Sequence, residues 1–239
     1  MTMGTPVQLS LGIALKDEAT FANFFEKEAN AQAFAALKAI ASESTQTEPV
    51  NLIVWGAPGC GLTHLLQAVC HDAYESGKSI QYLPMNDVIG FDANDICDGL
   101  EGVDLVCIDG IDAICGHRSW EHAFFHLYNK MKDAGHCMVF SSHTSPPSLP
   151  IILPDLKSRI LASVVYHIES LADDEKQKAM IMRAQARGME MSEEVAKYIL
   201  QRASRDTNEL FYLLNRLDDA SLQQQRKLTI PFVKETLRF

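Results

Sequence analysis

The stretch GAPGCGLT at residues 56–63 constrains the chain more than any other, because it follows the phosphate-loop pattern G-x-x-x-x-G-K-[ST] at every fixed position but one. Leu62 stands where the pattern has lysine. Residues 51–55 are a short apolar run ending at glycine, as expected of a buried strand, and residues 63–75 carry apolar side chains at helical spacing. The order is therefore strand, glycine loop, helix. Gly56, Gly59 and Gly61 let successive amide N–H groups turn inward, and the start of the next helix adds the positive end of its dipole, so a phosphate can be seated there. Thr63 retains the hydroxyl that reaches a magnesium ion in such loops. What is missing is the cation at the β/γ-phosphates, which counts most when a γ-phosphate is transferred. The expectation is nucleotide binding with poor hydrolysis. Read alone, the motif also fits a glycine turn that binds nothing.

A second motif follows about fifty residues downstream. LVCIDGIDAI, residues 105–114, is an apolar strand closing on Asp109, which puts a carboxylate at the C-terminal edge of a sheet beside the glycine loop. Asp109 there suits magnesium ligation, directly or through water. A self-sufficient ATPase would follow it with a glutamate to activate water, and this chain has Gly110. Asp112 is expected to be a solvated loop charge. Apolar runs at 79–83, 103–109, 137–143 and 163–168 read as further strands, separated by helical stretches near 96–100, 118–134 and 155–161. Alternation of this kind implies a mostly parallel sheet with helices on both faces. Beyond residue 168 the strand signal stops. Residues 173–237 carry helical periodicities with Gly188 as a stop, Ser192 and Thr229 as N-caps and Pro231 in a first turn. The expected organisation is an N-terminal flexible segment over 1–18, an α/β nucleotide-binding domain over 19–168 and a small all-helical domain over 169–239.

Charge and composition exclude several classes. Net charge is −10, and residues 1–167 hold 9 Lys+Arg against 19 Asp+Glu, so a strong direct duplex-DNA footprint is not expected and any action at DNA would pass through a partner. No apolar stretch approaches a membrane span, and the N-terminal run lacks a basic start, so a cytoplasmic location is expected. Cys60, Cys70, Cys97, Cys107, Cys115 and Cys137 form no C-x-x-C pair and several sit in apolar runs, which favours buried thiols over disulfides or zinc. Phe124, Phe125 and Phe140 have core spacing, and His64 and His71 share a helix face.

The defective phosphate loop, IDGIDAI, SSHTSP after the next strand, LPDLKSRI and the helical C-terminal part together resemble an AAA+ module of the DnaA type. Within that type, QLSLG, LPDLKSRI and QRKLTIPFVKETL are most similar to the DnaA-related regulators of bacterial replication initiation. The fold so implied is an AAA+ P-loop NTPase-type parallel sheet followed by a helical lid, without the helix-turn-helix domain that DnaA carries. The resemblance implies a base-side box around Thr20, Phe21, Phe24 and Asn30, and a phosphate cradle of Gly56, Ala57, Pro58, Gly59, Cys60, Gly61, Leu62 and Thr63, with His64 adjoining. It implies Thr63 and Asp109 at the metal, Ser142 at the sensor-1 position and Arg159 as an arginine finger acting in trans. The lid departs from the family pattern, since the sensor-2 arginine is replaced by Asn208, with Arg205 as a possible substitute one turn earlier. With Leu62 and Asn208 both neutral, ADP or another nucleoside diphosphate is the ligand implied, Mg2+ being optional. The partners implied are DnaA, whose bound ATP would be hydrolysed, and the DNA polymerase III sliding clamp, bound through Gln8, Leu9, Ser10, Leu11 and Gly12. Self-association into a homodimer or larger assembly is compatible with this reading. The competing classes are a self-sufficient ATPase of the helicase-loader or clamp-loader type, against which Leu62 and Gly110 argue, and a tethering adaptor with a vestigial loop.

Overall fold

The computed structural model describes residues 19–42, 50–204 and 206–239. Five strands, β1 Leu52–Trp55, β2 Ile80–Pro84, β3 Leu105–Asp109, β4 Cys137–Ser142 and β5 Val164–His167, form one sheet in the order β2-β3-β4-β1-β5, and every pairing is parallel. Parallel strands are covered on both faces, which is why they read as near-continuous apolar runs. Side chains alternate between those faces. Ile53, Val106 and Ile108 join one core with Phe124 and Phe140, whereas Leu52, Val54, Leu105 and Cys107 join another with Leu37, Leu65 and Leu66.

Helices α1 Ala31–Ser42 and α2 Leu62–Glu75 supply the second of these cores. Short helices α3 Met85–Val88 and α4 Ala93–Cys97, with α5 Arg118–Ala134 and α6 Pro154–Leu161, cover the other face. The lid holds α7 Asp173–Ala186, α8 Glu193–Leu200, α9 Thr207–Gln224 and α10 Ile230–Leu237 around a separate core that includes Met180, Leu210, Leu214 and Phe232. Ser192 and Thr229 cap α8 and α10 by accepting from Val195 N–H and Phe232 N–H. No helix among the described residues is long and apolar enough to cross a membrane.

Two differences from the sequence reading have local causes. The helical stretch expected near 96–100 is α4 at 93–97 followed by a separate 3-10 turn, because Asp92 accepts from the Asn94 and Asp95 amides and starts the helix upstream. Helix α1 was not anticipated, since its alanine-rich face carries a weak apolar period and its burial depends on packing against α2. The QLSLG stretch and Arg205 lie outside the described residues.

Candidate functional site

Strand β1 ends at Gly56, whose N–H donates to the Ser142 carbonyl at 3.1 Å, tying the loop to the end of β4. A Cβ at Gly56 would stand 2.5 Å from the Ile168 carbonyl oxygen and 2.7 Å from Cys60 Sγ, so no other residue fits without moving backbone. Gly61 has φ +101 and caps α2, and a Cβ there would meet the Phe24 ring at 2.8 Å. Gly61→Ala should therefore destabilise the fold by about 1–3 kcal/mol from backbone strain, and displace Phe24 as well. Thermal melting checks this, with an expected fall of about 2–4 °C per kcal/mol.

A cavity of about 480 Å³ opens between this loop and the lid. Of the residues expected to bind nucleotide, Phe24, Asn30, Pro58, Gly59, Cys60, Gly61, Leu62, Thr63, His64 and Asn208 line it. Gly56 and Ala57 are not among its lining residues, and Phe21 is buried edge-on against Phe34 with ring centroids 5.0 Å apart. Phe24 continues that cluster, stacked on Phe34 and tilted against His64. Asn30 lines the wall with both ends of its amide engaged, donating to Glu169 O at 3.1 Å and accepting from Glu169 N at 2.9 Å. It thereby ties the N-terminal segment to the junction between core and lid. Leu62 is 4% exposed and joins the α2 core, so the position that would carry a cation is absorbed into packing. Burial pushes the Cys60 thiol up to about 11, which keeps it neutral at pH 7.

The lid contributes charge that the sequence reading missed. Arg183 in the last turn of α7 and Arg187, its C-cap residue four positions on, both line the cavity. Arg183 Nη2 lies 2.6 Å from His64 Nδ1, and its guanidinium carbon stands 3.7 Å from the Phe211 ring centroid. Because arginine can only donate, Nδ1 accepts, and His64 Nε2 is then the nitrogen that donates to Thr20 O at 2.8 Å. One neutral imidazole thus joins the N-terminal segment, the phosphate loop and the lid. The N-terminus of α9 meets the loop directly, since a Cβ at Gly59 would stand 3.7 Å from Thr207 N. With His143 on the wall too, the cavity carries two arginines and two histidines, while the carboxylate of Asp206, the N-cap of α9, stands beside the loop, 3.3 Å from where a Gly59 Cβ would be.

Asp109 ends β3 as expected but does not line the cavity with Thr63. Its Oδ1 accepts from Ser141 Oγ at 2.5 Å and its Oδ2 from Tyr82 OH at 2.7 Å, while Gln67 Nε2 donates to the same phenol at 3.4 Å. Burial, then the Asp109 charge, push the Tyr82 phenol far above its ordinary range, so it remains a donor. Hard oxygen donors suit magnesium, and Asp109 offers a carboxylate whose two oxygens each already accept one protein hydroxyl. Among the described residues no group of three or more His, Cys, Asp or Glu is arranged to hold a metal ion.

Asp112 is not the solvated charge that the sequence reading expected. It accepts from Ser142 Oγ at 3.0 Å, His143 N at 2.8 Å and Thr144 N at 3.1 Å, and so fixes the loop after β4. His143 Nδ1 in turn donates to Gly56 O at 3.1 Å. Ser142 therefore serves this loop, and its neighbour Ser141 is the one that meets Asp109. Arg159 lies away from the cavity on α6, half-buried, with its guanidinium carbon 5.9 Å from the Tyr128 ring centroid.

The parallel sheet in this strand order, a glycine phosphate loop after β1 and a C-terminal helical lid define an AAA+ module. The chain belongs to the bacterial DnaA ATPase domain family, whose model matches residues 15–167. Its lid, residues 173–237, matches the model described as the Hda lid domain, and the two matches together are those of an Hda-type, DnaA-related AAA+ protein. Domain III of the replication initiation protein DnaA from Thermotoga maritima superposes with a TM-score of 0.78 at 20% identity, covering 94% of this chain and 98% of that one. DnaA from Aquifex aeolicus bound to AMPPCP gives 0.70 at 22% identity, covering 89% and 71%. The Thermotoga maritima RuvB Holliday junction branch migration motor gives 0.68 at 15%, covering 92% and 71%. Likeness at these identities is likeness of fold.

Proposed function

We propose that this protein holds a nucleoside diphosphate, ADP for preference, between core and lid as a structural ligand, and in that state stimulates hydrolysis of ATP bound to DnaA while tethered to the sliding clamp. It is thereby a negative regulator of replication initiation. The observation that carries the reading is the cavity itself: a glycine-loop phosphate cradle faced by Arg183 and Arg187 of the lid. Glycine-loop amides and the α2 N-terminus take the diphosphate, and the lid arginines stand in for the cations missing at Leu62 and Asn208. Phe24 is the base-side wall in this reading, with His64 tilted against it next to the cradle. Mg2+ is optional in this reading; Thr63 on the cavity wall and Asp109, directly or through water, are the residues that would hold it. The arrangement supplies no group to activate water, Gly110 following Asp109. It binds and orients; the bond cleaved belongs to the partner's nucleotide. Arg159, outside the cavity and unpaired with any acid among the described residues, is the group offered to that nucleotide's γ-phosphate. Gln8–Gly12 is the clamp ligand, Gln8 by hydrogen bonding and Leu9 and Leu11 by filling an apolar slot. On this view the working units are the segment 1–18, the nucleotide-binding domain 19–168 and the lid 169–239.

The test is a hydrolysis assay on this protein, DnaA, clamp and DNA, omitting each in turn. Turnover is expected in the full mixture and negligible with this protein alone. Replacing Gln8, Leu9 and Leu11 together by alanine should reproduce the clamp-omitted reaction without shifting thermal melting. Robust turnover by the isolated protein, abolished by Asp109→Ala, would instead establish a self-sufficient ATPase. Unchanged clamp affinity in the triple variant would return QLSLG to a packing role.

A further inference from the structure

The geometry points to Glu121 as the positioning residue for Arg159, acting from α5 as the missing N-terminal cap of α6. Helix α6 cannot cap itself. Its N-cap is Leu153, which offers no side-chain acceptor, and three residues on stands Leu156 where a capping box would have Glu or Gln. Pro154 at the first helical position removes one orphan N–H, but the N–H of Leu153 and that of Ile152 before it still need acceptors. Glu121 provides both. Its Oε2 accepts from Leu153 N at 2.7 Å and from Ile152 N at 3.0 Å, and its Oε1 from Ile152 N at 3.0 Å and Gly116 N at 2.9 Å. The side chain is 1% exposed, and none of the described ion pairs includes it. A buried carboxylate satisfied entirely by backbone N–H groups holds those groups in one place, and its charge also favours the positive end of the α6 dipole.

The bond network reaches Arg159 through the helix. Glu121 and Tyr128 lie seven residues apart on one face of α5; the first grips the chain entering α6, and the second underlies the Arg159 guanidinium. Helix α6 has eight residues, so its direction is set by how its first turn is anchored. Glutamine cannot replace the carboxylate, because it has one accepting oxygen and turns an NH2 donor toward an N–H. The inference rests on Arg159 being the finger.

It is tested with Glu121→Gln, Arg159→Ala and the double variant, measuring DnaA-bound ATP hydrolysis at rising concentrations of each. Glu121→Gln should lower the maximal stimulated rate at least about tenfold, leave the half-saturating concentration and ADP affinity within about twofold, and add nothing in the Arg159→Ala background. Amide exchange at Ile152 and Leu153 should quicken. If Glu121→Gln melts below the assay temperature, Glu121→Asp, which keeps the charge but shortens the reach, carries the same measurements. A folded Glu121 variant with less than a threefold fall, or with a further loss on top of Arg159→Ala, overturns the positioning role. Full stimulation by Arg159→Ala overturns the finger reading and this inference with it, whereas impaired Arg159→Ala beside normal Glu121→Gln overturns this inference alone.

Discussion

Arg159→Ala should leave folding, ADP binding and clamp binding near wild type and remove about 10³–10⁵ of the stimulation of DnaA-bound ATP hydrolysis. The two roles open to this side chain differ enough in size to be separated. As a local stabiliser it faces the Tyr128 ring at 5.9 Å, an outer-limit cation–π contact, and none of the described ion pairs joins it to Asp155 one turn earlier. A contact of that kind contributes at most about 0.5–1 kcal/mol. An arginine meeting charge that develops on a transferring phosphoryl group is worth roughly 4–7 kcal/mol. Thermal melting should therefore hardly move while the stimulated rate collapses. A fall of less than about tenfold, equivalent to roughly 1.4 kcal/mol, would remove Arg159 from the mechanism. Arg118, exposed at the first position of α5, would be the next arginine to replace.

Replacing Arg183 and Arg187 together by alanine should weaken ADP binding by at least about 10². Hydrogen bonds to charged groups contribute about 1.5–3 kcal/mol each, and every 1.4 kcal/mol is a factor of ten in affinity. Arg183 is the more consequential of the two, because its loss also removes the bond to His64 that joins the lid to the start of α2 and the contact with Phe211 inside the lid. Adenosine provides the control. It lacks phosphates, so its weaker binding should change no more than about threefold if the arginines act on charge, and should fall in parallel with ADP if the variant merely opens the cavity. An ADP affinity within threefold of wild type would leave the diphosphate without its proposed cations. Falling affinity with rising salt in wild type, flattened in the double variant, would agree with the same assignment.

The strand–loop–helix at 52–75 was legible because each signal is local: an apolar run long enough for a buried strand, glycines that only a tight loop needs, and an amphipathic period after them. The strands at 80–84, 105–109, 137–142 and 164–167 and the caps at Ser192 and Thr229 were read on the same basis. Asp109 was legible as the residue closing a strand, but not its use: that Ser141 and Tyr82 would occupy both oxygens depends on a register pairing β2, β3 and β4, which no local pattern carries.

Arg183 and Arg187 look in sequence like the solvated face of a helix, since arginines four apart are common there, and what makes them cavity residues is the packing of α7 near the start of α2, where Arg183 meets His64, 119 residues earlier. Asp112 reads in sequence as a solvated loop charge for the same reason. By itself the sequence determined the parallel α/β core, the helical lid and the position of the phosphate loop, because backbone preference and burial period act within a few residues. The arrival of Arg183 at His64, the partners of Asp109 and the anchoring of α6 were decided by tertiary structure, because each depends on groups from distant segments meeting within hydrogen-bond range.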